Sequence, residues 1–377
     1  MTVTATGVVA RAWARIDRPG GTAAPSVLPG EGYIRGFDGM RALAVMLVIQ
    51  GHTGYTQGRY EAFRGINDGV AVFFVMSGFL ITGLLLKEER NGGIALGRFY
   101  ARRALRLIPP LLVFLVGLAI AEMTGIAQVK PIAYVLALLY LTNYGYRADK
   151  GRETGHLWSL AVEEQFYLTW PLVMRFARRA ALGIGLAVLA ACVWLRLHPL
   201  DHPDRWSDRY FIPAVDAIVL GAVASLLIVP AARTSPRLRA RLGAPEVLLG
   251  AALAYTAVKW STIPKVSPTT SAVLLVELQK VGALFALVWI CTNQRSLLVR
   301  LLELRPIAYL GRISYGVYLW QGLFVRDGPG LPQSWVHRFP ANVFLSIAAA
   351  ALSYELVERR VLRLKTAFAP RTAPDRS

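Results

Sequence analysis

The chain is a succession of apolar runs joined by short polar stretches. The runs fall at about 38–56, 69–86, 107–125, 131–146, 157–174, 180–197, 211–230, 243–260, 271–291, 306–325 and 340–358. Each reaches or approaches the ~17–25 residues that a helix needs to cross a bilayer. The joints carry charge unevenly. A basic leader with Arg11, Arg15 and Arg18 precedes the first run, and Lys87, Arg90, Arg98, Arg102, Arg103 and Arg106 follow the second. Later clusters are Arg175/Arg178/Arg179, Arg233/Arg237/Arg239/Arg241, Arg295/Arg300/Arg305 and the stretch from Arg359 to Lys365. If all eleven runs cross, these later clusters land outside, against the positive-inside tendency. If one of 131–146 and 157–174 stops short, all of them return to the inner side. The pattern therefore predicts an all-α integral membrane protein, a bundle of about ten transmembrane helices with both termini cytoplasmic. The shorter run, 131–146, is the one expected to be re-entrant or to lie along the surface, where protein or a watery cavity must satisfy its backbone.

Composition supports this and adds little to it. With 55% hydrophobic and 17% charged residues and a mean hydropathy of +0.43, the chain is too apolar for an ordinary soluble domain. Its net charge of +19 sits in the joints, which suits anionic lipid and not nucleic acid. The expected organisation is a disordered basic cytoplasmic tail over 1–32, a membrane domain over 33–360 and a disordered cytoplasmic tail over 361–377, in a multi-pass protein of the inner (plasma) membrane. Residues 1–30 hold no continuous apolar stretch of the kind found in a cleaved signal peptide. Cys192 and Cys291 each lie in an apolar run and read as small core hydrophobes, without a disulfide framework. No metal is expected: His198 and His202 are flanked by Pro199 and Pro203 in a polar loop with Asp201 and Asp204.

The polar residues inside the apolar runs are the informative ones. From Arg41 to His52 is eleven residues, about three helical turns, so both side chains fall on nearly one face, roughly 16 Å apart. Asp38 lies one turn below Arg41. An ionisable group in hydrocarbon costs ~2.5–3.5 kcal/mol, so this stripe is expected to be one wall of a site. Histidine, with an ordinary pKa of ~6.5, can take a proton from a hydroxyl near neutral pH. Asp68 opens the second run at the same end as His52, where it either orients the imidazole or caps the helix. Phe73, Phe74, Ser77, Gly78 and Phe79 read as helix-packing residues. Arg103-x-x-Arg106 sets two guanidinium groups on one side of a helix, a spacing suited to a phosphate-rich ligand such as coenzyme A. Arg102 points elsewhere and is expected to face lipid. Glu163 and Glu164 diverge by ~100°, so only one is expected to serve a cavity. No Gly-x-Ser-x-Gly elbow, phosphate-binding glycine loop or dinucleotide fingerprint occurs.

Four stretches, in order, carry a family resemblance: Arg41-x10-His52; Asp68-Gly-Val-Ala-Val-Phe73-Phe74 through Ser77-Gly78-Phe79; Arg98-Phe99-Tyr100 through Arg103-x-x-Arg106 to Pro109-Pro110; and His156-Leu157-Trp158-Ser159-Leu160 through Glu163-Glu164-Gln165-Phe166-Tyr167 to Trp170-Pro171. With the ending Leu310-Gly311-Arg312 through Tyr318 and Ser353-Tyr354-Glu355 to Glu358, the set resembles the acyltransferase-3 family of polytopic membrane O-acyltransferases. The resemblance implies that an acyl group, most simply acetyl, moves from acyl-CoA as co-substrate to a hydroxyl, on a sugar of a surface polysaccharide or its lipid-linked precursor. It implies His52 as the catalytic residue, Glu163 as the glutamate that serves the site, and Arg103 and Arg106 as the donor-binding pair; Arg41 and Asp68 are the further catalytic candidates from their placement. Asp38, Trp158 and Tyr167 are candidates for the substrate site. Gln321 stands where relatives often carry histidine. No permanently bound cofactor is implied; the expected partners are the donor, a carbohydrate or other hydroxyl acceptor, and membrane lipid. Acylation of a small molecule such as a macrolide is the alternative within this chemistry. A transporter or flippase is the alternative outside it.

Overall fold

The computed structural model describes residues 28–30, 32–57, 68–144, 153–198, 214–260, 268–325 and 334–364, without the side chains of 53–57, 68, 254–260 and 268–275. Among the described residues every regular element is helical. The first four are α1 (Phe37–Gln57), α2 (Asp68–Arg90), α3 (Leu96–Met123) and the short α4 (Pro131–Leu138). A 3-10 turn (Gly155–Leu157) leads into α5 (Trp158–Phe176), which is followed by α6 (Ala181–Leu197), α7 (Asp216–Thr234), α8 (Pro236–Leu242) and α9 (Pro245–Trp260). Then come α10 (Pro268–Thr292), α11 (Leu297–Leu302), α12 (Arg305–Arg312), α13 (Ser314–Phe324) and α14 (Ala341–Ser353), and α14 continues through a π turn (Tyr354–Glu358) to Val361.

Local chemistry accounts for many of the helix starts. Proline opens α4, α8, α9 and α10, where its missing N–H costs nothing and its φ is already helical. Ser235 accepts from the Leu238 amide at 3.2 Å, and Ser296 from the Val299 amide at 3.3 Å, each capping the helix that follows. Among the described residues four helical stretches are long and apolar enough to cross a membrane: Gly69–Arg90, Leu96–Met123, Asp216–Thr234 and Ala341–Leu364. Large apolar side chains such as Leu112, Val116, Ile120 and Leu227 stand exposed on their outer faces, as side chains meeting lipid should.

Two runs depart from plain spans. α4 has 8 residues, about 12 Å of helix, too short to cross, and the chain turns after it at Tyr140, whose φ is +52°. This is the run expected to fall short. The run 306–325, expected as one span, is instead broken at Ile313 into α12 and α13, so that Ser314 begins a new helix inside the bundle. Next to the break the backbones approach closely: a Cβ at Gly311 would collide with the Asp38 carbonyl of α1. The tightest packing joins α2 to α7: side chains at Gly78 and Gly221 would run into the backbones of Ile218 and Val75. That seam seats Phe74, Val75, Phe79, Ile218 and Ala222 in the main core.

Candidate functional site

A cavity of about 910 Å³, counting the space open at its mouth, lies between α1, α2, α3, α5 and α13. Its size suits a small ligand or the reactive end of a larger one. The first helix contributes Arg41. The second contributes Val70, Phe73, Phe74, Ser77, Leu80 and Ile81, so the cavity follows it from Val70 to Ile81, roughly 16 Å. Arg103, Arg106 and Leu107 of α3 close one end, Ser159, Glu163 and Tyr167 of α5 form a wall, and Ser314, Tyr315 and Tyr318 come from α13.

Of the three guanidinium groups at the cavity, two are in contact with a carboxylate. Arg41 reaches Asp38 Oδ1 at 2.7 Å, three residues back on the same helix, and Asp38 is buried. The Tyr33 hydroxyl also donates to Asp38, at 3.3 Å, and to Glu303, at 3.0 Å; burial and those two carboxylates push its phenol far above its ordinary pKa, so it stays a donor. Asp38 thus anchors Arg41 from behind and is not itself part of the lining. Arg103 binds Glu164 with two nitrogens, Nε at 3.0 Å and Nη2 at 2.6 Å, and lies 3.0 Å over the Tyr167 ring. This fork-to-fork pair is the strong geometry for a buried arginine. Arg106 lines the cavity, is exposed to it, and has no carboxylate within ion-pair distance among the described residues. Glu163 accepts hydrogen bonds from Ser77 and, at 2.6 Å, from Tyr167.

The adjacent glutamates divide as their ~100° separation requires, with Glu163 on the cavity and Glu164 tying α5 to α3. Of the two arginines expected to bind a donor, Arg103 is engaged by Glu164 and Arg106 has no carboxylate in ion-pair distance among the described residues. Arg102, expected to face lipid, instead pairs with buried Glu88 at 2.5 Å. Trp158 packs edge-on against Phe74, with centroids 6.4 Å apart, and lies beside the lining. Gln165 points away, donating to the Tyr140 carbonyl at 2.9 Å and so fastening the turn after α4. Ser77, Phe73 and Phe74 were read as packing residues, yet all three line the cavity. A hydroxyl inside an apolar helix was the only signal that could have marked Ser77.

His52 lies outside the lining. It is exposed, and its Nδ1 is 2.8 Å from the Val48 carbonyl. A carbonyl can only accept, so Nδ1 carries the proton and Nε2 is the basic nitrogen. Gly69 packs directly on Ala44 and Val48, which sets Val70, at the cavity's upper end, level with Val48. The imidazole, held against the Val48 carbonyl, lies beyond the residues that line the cavity. The side chain of Asp68 is outside the described residues, as are His202, Asp201 and Asp204. His198 stacks on Trp194 away from the cavity.

A family model described as an acyltransferase domain matches residues 34–355. The chain is 27% identical over 353 residues to the peptidoglycan O-acetyltransferase OatA of Listeria monocytogenes, covering 86% of this chain and 55% of that protein. It is 30% identical over 373 residues to the O-acetyltransferase OatA of Staphylococcus aureus, covering 86% and 57%. The chain thus spans little more than half the length of these relatives. No solved structure matches it.

Proposed function

The chain belongs to the acyltransferase domain family, and from that premise we propose that it is a membrane O-acetyltransferase using acetyl-CoA as donor and a glycan hydroxyl as acceptor. The observation that carries this reading is the cavity, roughly 16 Å along α2, which is lined by an arginine with no carboxylate in ion-pair distance among the described residues and shares α1 with a histidine held against the Val48 carbonyl. Phosphates of the donor bind at Arg106. The thioester, on its thin pantetheine arm, extends along the cavity past Glu163 towards α1. An acceptor hydroxyl approaching from the His52 end gives its proton to Nε2 as its oxygen attacks the thioester carbonyl. Collapse of the tetrahedral intermediate breaks the carbon–sulfur bond, and the departing thiolate takes the proton back from the imidazolium. Arg41, held by Asp38 roughly 16 Å along α1 from His52, places positive charge at the donor end of the cavity. Glu163 balances it and is fixed by Ser77 and Tyr167.

The acceptor end faces outward in this reading, with ten spans, both termini cytoplasmic and the protein in the plasma membrane. Relatives whose names specify peptidoglycan support a carbohydrate of the cell surface, or its lipid-linked precursor, as acceptor. The test is release of coenzyme A by the purified protein in lipid nanodiscs, with acetyl-CoA and a chitooligosaccharide as the hydroxyl probe. His52→Ala should reduce acceptor-dependent release about 100-fold or more, the scale of a lost general base. Equal rates for the two proteins would remove His52 from the mechanism.

A further inference from the structure

The wall that α5 and α13 give the cavity continues past the residues that line it. On α13, Gln321 follows the lining Tyr318 by three residues and the lining Ser314 by seven, so it projects within ~20° of Ser314, one turn further along that face. On the other side His156 precedes the lining Ser159 by three residues, in the 3-10 turn that leads into α5. The two extensions meet. The His156 ring is tilted against that of Tyr318, with centroids 5.3 Å apart, and stands edge-on to Phe114 of α3 at 6.1 Å. It also fills the place that a side chain at Gly322, next to Gln321, would take. Tyr318 ties this level to the cavity, since its hydroxyl donates to the His156 carbonyl and accepts from Ser159 Oγ at 2.6 Å. Phe114 is eight residues, ~12 Å, beyond Arg106 on α3, so the level lies at the end of the cavity away from the arginines.

His156 and Gln321 are buried, at 8% and 2% exposure. Neither imidazole nitrogen and neither atom of the carboxamide has a hydrogen-bond partner among the described residues. The imidazole faces the backbone of Tyr318 and Leu319 but reaches neither at hydrogen-bond geometry. Buried polar groups are nearly always paired, and two apolar side chains would pack here at less cost, so the fold alone gives no reason for this pair. Their chemistry is selective. A neutral imidazole offers one donor and one acceptor, and a carboxamide offers both. Neither has the charge that selects phosphate, which the arginines supply at the opposite end. What matches them is an uncharged group that both gives and takes hydrogen bonds, as a sugar hydroxyl or an acetamido group does.

Taking the acceptor reading above as given, we propose that Gln321 and His156 form the binding site for the acceptor sugar, holding one of its neutral polar groups where the α5 and α13 walls run on past Ser159 and Tyr318. Such a site gives up stability for binding, and that sets its signature. Gln321→Leu removes the unpaired amide at nearly constant volume, so the unfolding midpoint should hold or rise while acceptor binding weakens. A purely structural amide would behave the other way, with a lower midpoint and acceptor binding untouched.

The experiment is steady-state kinetics of the full chain in nanodiscs, with chitooligosaccharide varied at saturating acetyl-CoA and then the reverse, alongside thermal unfolding. Gln321→Leu is expected to raise the KM for chitooligosaccharide about fivefold, the scale of one neutral hydrogen bond, with the KM for acetyl-CoA within about twofold of wild type. His156→Leu should act in the same way, and His156→Gln, which restores a donor and an acceptor, should recover part of the loss. A penalty that carries over to a cello-oligosaccharide assigns the site to sugar hydroxyls, and one confined to chitooligosaccharide assigns it to the acetamido group. An unchanged acceptor KM in Gln321→Leu, a lowered midpoint, or acceptor and donor KM values that rise together, overturns the proposal while leaving the acetyl-transfer reading in place. Wild-type protein that releases no coenzyme A removes both.

Discussion

At the scale of single residues, the three-residue spacing of Arg103 and Arg106 hides a division of labour. Arg103 is spent on Glu164, so Arg103→Ala leaves a buried carboxylate alone and should lower stability by about 3–5 kcal/mol. Thermal unfolding in detergent reads this directly, and the companion change Glu164→Gln should restore part of the loss in the alanine background. Arg106→Ala should leave the unfolding midpoint nearly unchanged and raise the KM for acetyl-CoA about tenfold or more, the worth of a hydrogen bond to a charged group. Sequence spacing showed that the two glutamates of α5 could not share a face, and resemblance favoured Glu163. Only the packing of α3 against α5 placed Glu164 on an arginine. His52 is legible as a base from its chemistry, but its place outside the cavity lining depends on how the helices pack.

At the scale of elements, the stripe of small residues in α2 is a seam that needs backbone contact with α7. Gly78→Ala forces the two helices apart and should cost about 1–3 kcal/mol, seen as a lower unfolding midpoint. A second tie joins α6, α7 and α10. Arg196 pairs with Asp216 and, at 2.5 Å, with Glu277, while Lys280 pairs with Asp216 and, at 2.9 Å, with Glu277. Two positive and two negative charges close on one another away from the cavity lining. Asp216→Asn leaves the two cations sharing one acid and should destabilise by about 3–5 kcal/mol without moving the KM for acetyl-CoA. The short α4 was foreseeable from the length of its apolar run. The break between α12 and α13 was not, since that run reads as continuous, and beside it Gly311 packs on the backbone of Asp38, some 270 residues away in the chain.

At the scale of the whole molecule, the proposed topology predicts which turns face which side. Asn91, exposed after α2, should as a cysteine react with an impermeant thiol reagent only in inverted vesicles, and Thr124, exposed after α3, only in intact cells. Cys192 and Cys291 are both buried, which keeps the background low. Labelling of both substituted positions from one side would reject the arrangement. Read without coordinates, the chain already determined that it is helical and belongs in a membrane, that charges are concentrated in a few of its helices, and which pairs of those charges cannot share a face. These follow from periodicity and from the cost of charge in hydrocarbon, which act locally along the chain. Tertiary structure alone decided which charges neutralise one another, which residues line the cavity and that His52 is not among them. Those outcomes depend on distances of a few ångströms between helices far apart in sequence, and no local pattern encodes such distances.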